Sequence, residues 1–234
     1  MTGQDGIATR DALQKISSAG LIIGFVLIAA GGTWPLFVAF EDMQTGARVF
    51  GAYAVQLQAC SLLLVFGFWA ATVGMGEVHR SIVARGADWA RWGFYFLTIG
   101  ATLWTIGMSL DITYSAALVN WQTAPREGKE TAHIIAQIFS GLGFGRGFFP
   151  LEVIEIWMAL GFMGIGMVRS RIYPRWLGLA GLVLGVVGVP LGIAETFTGR
   201  EASLNIFKGL MVLTTFWFLA VGIWVARRAW RRAG

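Results

Sequence analysis

Uncharged apolar runs recur along this chain, and each belongs to a stretch of about 20 residues, the length a helix needs to cross a hydrocarbon core of roughly 30 Å. The segments LIIGFVLIAA, LLLVFGFWAATVGMG, WGFYFLTIGATLWTIGM, WLGLAGLVLGVVGV and FWFLAVGIWVA carry no charged residue. With 56% of residues hydrophobic and 13% charged, there is too little polar surface for a soluble domain of 234 residues. The runs are continuous and do not alternate, which excludes a membrane β-barrel. The expected fold is all-α: a polytopic transmembrane helical bundle forming a single membrane domain over residues 1–234. Its six spans are expected at about 18–40, 50–76, 91–115, 149–168, 176–196 and 204–226.

Charge then sets the threading. The net charge of +5 resides in the connections and orients the chain, and no nucleic-acid signature accompanies it. With both termini cytoplasmic, 12 of the 18 Lys and Arg residues fall on the inner side, from Arg10 and Lys15 through Arg80, Arg85, Arg91, Arg169, Arg171 and Arg175 to Arg227, Arg228, Arg231 and Arg232. That bias predicts a multi-pass protein of a bacterial cytoplasmic membrane with both termini inside. The first apolar stretch is too long for a secretory h-region and is expected to remain as a span. Cys60 is the only cysteine, which excludes an intrachain disulfide or a cysteine-rich metal site.

The polar residues of the spans gather in their outer halves. Gln56 and Gln58 lie in the outer third of the second span, Asp111 near the outer end of the third, Glu195 at the outer end of the fifth, and Asn205 and Lys208 at the outer start of the sixth. The fourth span, FFPLEVIEIWMALGFMGIGMVRS, carries Glu152 and Glu155 roughly 5 and 9 Å below its outer end, taking 1.5 Å per residue. An ionisable side chain at such depth is a functional-site hypothesis. Asp111, Glu195 and Lys208 can snorkel to the headgroups. The snorkelling explanation fits Glu155 worst, because it is deeper and short. Glu152 and Glu155 share a helix face with Ala159, Met163 and Gly166, which should pack on neighbouring helices. Two such carboxylates cannot both ionise easily unless Lys208, Arg146 or a cation neutralises them.

The longest connection, residues 116–147, contains a segment from Glu127 to Leu142 with Ile134, Ile135, Ile138, Phe139 and Leu142 on one face. Glu130, His133 and Gln137 lie on the other. This spacing predicts an interfacial helix capping an outward-facing cavity lined by Gln56, Gln58, Asp111, His133, Glu152, Glu155, Glu195 and Lys208. The glycines 141, 143, 145 and 147 follow no strand and lack a GK[ST] ending, so they read as a tight re-entry and not as a phosphate loop. Gly181 and Gly185 form a G-x-x-x-G. His79 and His133, the only histidines, are expected on opposite sides, with His79 in a solvated loop; this argues against a bis-His haem. The acids and His133 could supply oxygen ligands and one nitrogen to a cation, yet no H-E-x-x-H pattern is present, so no metal is assigned and the cofactor stays unknown.

The motif Tyr173-Pro174-Arg175-Trp176-Leu177-Gly178 resembles a signature of a family of small, uncharacterised bacterial membrane proteins with about six spans, in which Pro-Arg-Trp-Leu-Gly opens the fifth. The resemblance covers residues from about 160 to 195 and implies an architecture without an activity. Separately, Phe149-Pro150-Leu151-Glu152 is similar to the Pro-x-Glu motif of integral-membrane lycopene cyclases. That family usually has a second acid directly after the first; here Val153 stands there and the next acid is Glu155. That likeness implies that Glu152 donates a proton to an isoprenoid double bond.

Three functions are therefore open. The first is a membrane binding or accessory protein, holding a cation or a lipophilic small molecule, or docking as a homo-oligomer or in a larger membrane complex within the lipid bilayer. The second is an intramembrane enzyme using Glu155 or Glu152 as a general acid. The third is a proton- or cation-coupled transporter, which the charge-free inner halves disfavour.

Overall fold

A computed structural model of the chain describes residues 3–37, 51–143, 148–198 and 204–231. Among these residues there is no strand. Seven helices follow one another: α1 (Gly3–Phe37), α2 (Ala54–Ser81), α3 (Ala87–Thr123), α4 (Lys129–Gly143), α5 (Phe148–Ser170), α6 (Arg175–Thr198) and α7 (Leu204–Arg231). All but α4 are long and apolar enough to cross a membrane, so the chain is built as a six-span, multi-pass membrane protein.

Six long apolar helices stand where six spans were expected, and several overrun the expected bounds; residues 38–40 of the first expected span and residue 50 of the second lie outside the described residues. α1 begins at Gly3, and α2 continues to Ser81, taking Glu77, His79 and Arg80 into its last turns. His79 is therefore no solvated loop residue: its ring stacks on Phe94, with centroids 5.3 Å apart. α3 continues to Thr123 and, at 37 residues, is roughly 55 Å long, well beyond a 30 Å core. Hydropathy fades near residue 115, yet nothing there breaks a helix. What ends it is Pro125, which forces Ala124 into an extended conformation (φ −62°, ψ 140°).

The spans pack in a closed ring in the order α1, α2, α3, α5, α6, α7 and back to α1. Trp157, Phe68, Phe218, Leu97, Met163 and Met167 fill its centre. Lipid chains are as apolar as leucine, so close backbone packing must hold such helices together. The glycines supply it. Gly86, just before α3, and Gly93, Gly100 and Gly107 on it recur every seven residues and all face α5. A methyl group on Gly93 would lie 2.7 Å from the Met163 backbone nitrogen and 3.0 Å from the Ala159 carbonyl oxygen. On α6, Gly178, Gly181, Gly185, Gly188 and Gly192 alternate steps of three and four, the seam spacing of antiparallel helices winding around each other. Two tryptophans use these notches: the Trp157 ring lies over Gly188 and the Trp217 ring over Gly181. Their indole nitrogens donate to Thr214 Oγ1 (3.3 Å) and the Leu177 carbonyl (2.9 Å). On the other side of the ring, Ser17 donates to the Gly74 carbonyl at 2.6 Å, tying α1 to α2.

The Tyr-Pro-Arg-Trp-Leu-Gly motif closes one end. Tyr173 is buried and its hydroxyl meets Ser81 Oγ at 2.7 Å, joining the α5–α6 turn to the end of α2. Burial pushes its phenol above the ordinary range. Leu177 is enclosed, while Trp176 faces outward. α2, α5 and α7 end here and α3 and α6 begin here, so Arg80, Arg85, Arg91, Arg169, Arg171, Arg175, Arg228 and Arg231 collect at one end of the bundle.

Gly93→Ala should lower stability by about 1–3 kcal/mol, the usual cost of overpacking. Gly209→Ala, where an added methyl group meets nothing within 4 Å, should be neutral or slightly stabilising. Thermal unfolding of both variants in detergent checks the contrast; equal effects would remove the seam from the account.

Candidate functional site

The candidate site residues lie at the end of the bundle opposite the arginines, and helix pairing brings most of them to one level. Gly107 on α3 faces Glu152 on α5. Asp111 follows Gly107 by one helical turn and acts on Glu152 electrostatically. On α6, Gly192 packs against Ile154, which sets Glu195, a turn further on, level with the start of α5. On α7, the Phe207 ring stands 4.9 Å from that of Phe149, which places Lys208 at the same height. Gln58 on α2 donates to Ser115 Oγ at 3.0 Å, one turn beyond Asp111. The spans thus contribute to one polar layer.

Within that layer the two acids of α5 differ. Glu152 is 1% exposed, and Asp111 and Glu195 are 4% and 2% exposed. Both Glu152 oxygens are buried and neither has a hydrogen-bond partner. The carboxyl group fits because Gly107 has no side chain: a methyl group there would overlap Glu152 Oε1. Glu155 is only half-buried, with its Cβ against Gly100 and one enclosed oxygen, Oε2, lacking a partner. Depth along the helix made Glu155 the critical acid in the sequence. Azimuth separates them: Glu152 points into the α3 seam and is enclosed, whereas Glu155 meets Gly100 only through its Cβ and stays half-buried. The expected common face of Glu152, Glu155, Ala159, Met163 and Gly166 packs on α3, Glu155 through its Cβ against Gly100.

An ionised carboxylate enclosed without a donor is among the costliest groups a protein can bury. Glu152 therefore has to carry a proton or share a cation. Among the described residues, no three His, Cys, Asp or Glu side chains come close enough to hold a metal ion.

The remaining candidates are less central. Gln56 is exposed. His133 is exposed and stacks on Trp121 with centroids 4.9 Å apart. It sits on α4, which is helical as expected but runs antiparallel along the outer part of α3. Ala136 and Phe139 pack there on Tyr114, Ala117, Leu118 and Trp121. Ile134, Ile135 and Ile138 stay exposed. α4 barely touches α5, so it lengthens α3 into a hairpin and does not cap the carboxylates. None of these acids lines the small pocket beside Tyr173 and Trp224 or the one beside Met163 and Trp217. Arg146 and the glycines 145 and 147 lie outside the described residues.

No protein-family model, curated protein or solved structure matches the chain.

The seven-residue glycine period of α3 was visible in the sequence and is what positions Glu152; a search limited to G-x-x-x-G passes over it. Its consequence is measurable. Gly107→Ala should destabilise the fold by about 1–3 kcal/mol. Adding Glu152→Ala should recover part of that loss, a coupling of about 0.5–3 kcal/mol in a double-mutant cycle. Strict additivity would show that the two residues do not meet.

Proposed function

We propose that this chain is a membrane-embedded binding or accessory protein whose polar layer holds a proton, or a small monovalent cation, at Glu152. The observation that carries the reading is the complete enclosure of an unpartnered carboxyl group against the Gly107 notch, with Asp111 one turn away. A buried acid lacking donors is a poor structural element, because an apolar residue of similar volume would cost less. Its retention makes sense if binding or releasing a charge alters how the outer ends of α3 and α5 meet. The arginine-rich end is consistent with both termini on the cytoplasmic side of a bacterial inner membrane, and the Pro-Arg-Trp-Leu-Gly turn with the uncharacterised six-span family.

Infrared spectroscopy of the purified protein tests the reading. The carbonyl stretch of a protonated carboxylic acid should be present at neutral pH and should disappear in Glu152→Gln. If that band is absent, or persists unchanged in the variant, Glu152 does not hold the proton.

One observation favours a second reading, an intramembrane enzyme. Glu155 lies half-exposed beside the α3–α5 contact, where a lipophilic substrate could reach it from the bilayer. In that case Glu155→Gln should abolish turnover of an isoprenoid-like substrate in cells while Glu152→Gln retains part of it. Normal product in Glu155→Gln cells rules this reading out.

A further inference from the structure

The arginine-rich end presents a charged surface that the carboxylate layer does not use. Two connections meet there. The short helical turn Ala84–Gly86 leads into α3, and residues 171–174 join α5 to α6. A methyl group on Gly86 would overlap the Gly166 carbonyl and stand 3.2 Å from the Ser170 nitrogen, so the first turn lies directly against the end of α5. This sets Arg85 at the end of α5 that carries Arg169 and Arg171, and Arg175 opens α6 just beyond. All four side chains are exposed. Residues 169–176 include no acid. Asp88, the only acid between residues 81 and 91, pairs with Arg91 at 3.6 Å. Among the described residues, Arg85, Arg169, Arg171 and Arg175 make no ion pair with a carboxylate.

Two of these arginines are held in ways that point to a use for their charge. Arg171 has φ 56°, in the left-handed region, where glycine sits without penalty at the end of a helix. This chain is rich in glycine, with 32 copies, yet this position carries an exposed arginine instead. Arg169 is fixed by an aromatic face: its guanidinium lies 5.2 Å from the centre of the Trp89 ring, which in turn stacks on Phe162 at 5.7 Å. The guanidinium is thus kept at the level of the ring and does not swing out into bulk water. Trp92 and Trp176 stand exposed at the same end of the bundle. Tryptophans at the ends of spans sit at the level of the headgroups, so these arginines stand at the depth of the lipid phosphates.

We infer that Arg85, Arg169, Arg171 and Arg175 form a binding surface for the headgroups of anionic phospholipids in the adjoining leaflet. Arginine gives a phosphate both charge and paired hydrogen bonds. Trp92 and Trp176 lie among the headgroups, and Trp89 holds Arg169 in place. A zwitterionic lipid carries its own cation and leaves the arginines uncompensated. Because the surface joins the start of α3, the end of α5 and the start of α6, bound lipid braces the glycine seam from its end.

The test uses the full-length protein in a neutral detergent, with thermal unfolding followed on titration with phosphatidylglycerol, phosphatidylcholine or polyglutamate. Phosphatidylglycerol should raise the midpoint in a concentration-dependent way, as any ligand of the native state does. Phosphatidylcholine should give little or no rise. Arg171→Gly removes one charge and relieves the left-handed backbone, so its lipid-free midpoint should equal or exceed that of the parent protein. It should nevertheless need about fivefold more phosphatidylglycerol for half of the shift, the share of one basic residue near an anionic surface. Arg169→Gln should weaken the response at least as much. Lys129→Gln, which removes a charge at the opposite end, should respond as the parent does. Equal shifts with the two lipids, an undiminished response in both arginine variants, or an equal loss in Lys129→Gln would overturn the surface. A shift of the same size with polyglutamate would overturn the lipid assignment in favour of an acidic protein partner.

Discussion

The fold depends on backbone-to-backbone approach between helices that have no hydrophobic reason to leave lipid for one another. Gly86, Gly93, Gly100 and Gly107 let α3 lie directly on α5, and the glycine ladder of α6 does the same on its other side. The resulting contacts are tight enough that a single methyl group has no room at Gly93. Larger side chains then key the register: Trp157 over Gly188 and Trp217 over Gly181, each with its indole nitrogen satisfied. Helix ends follow the same economy of local causes, as Pro125 shows by stopping a helix that overruns the membrane.

The seam also explains the chemistry at the far end. Its last glycine, Gly107, is opposite a glutamic acid and not another small or apolar residue. The notch that elsewhere admits a backbone here admits a carboxyl group, sealing it from lipid and water. A polar layer at one depth and an arginine cluster at the opposite end give the bundle two chemically distinct faces, joined by a charge-free interior.

Much of this was legible in the sequence. Span number and helical class follow from run length, and the gathering of polar residues at one level follows from counting along each helix. What counting cannot give is azimuth. Glu155 is deeper than Glu152, so depth alone made it the costlier acid; only the partner helix reveals that Glu152 is enclosed and Glu155 is half-buried. The same limit affected α4, whose isoleucine face suggested a helix lying flat. Small residues such as Ala136 are weak in a periodicity count but decide which side can approach α3. Helix ends were missed where hydropathy fades before any breaker occurs, as in α3 beyond residue 115.

The register of α3 on α5 is the claim on which the site rests, and disulfide cross-linking reads it directly. In a Cys60→Ser background, Gly100→Cys and Ile156→Cys should bridge readily under mild oxidation, since the methyl position of residue 100 is 3.0 Å from the Ile156 side chain. Gly100→Cys paired with Ile165→Cys, more than two turns away along α5, should not. Efficient bridging of the second pair, or failure of the first in a folded protein, would contradict the seam and with it the enclosure of Glu152.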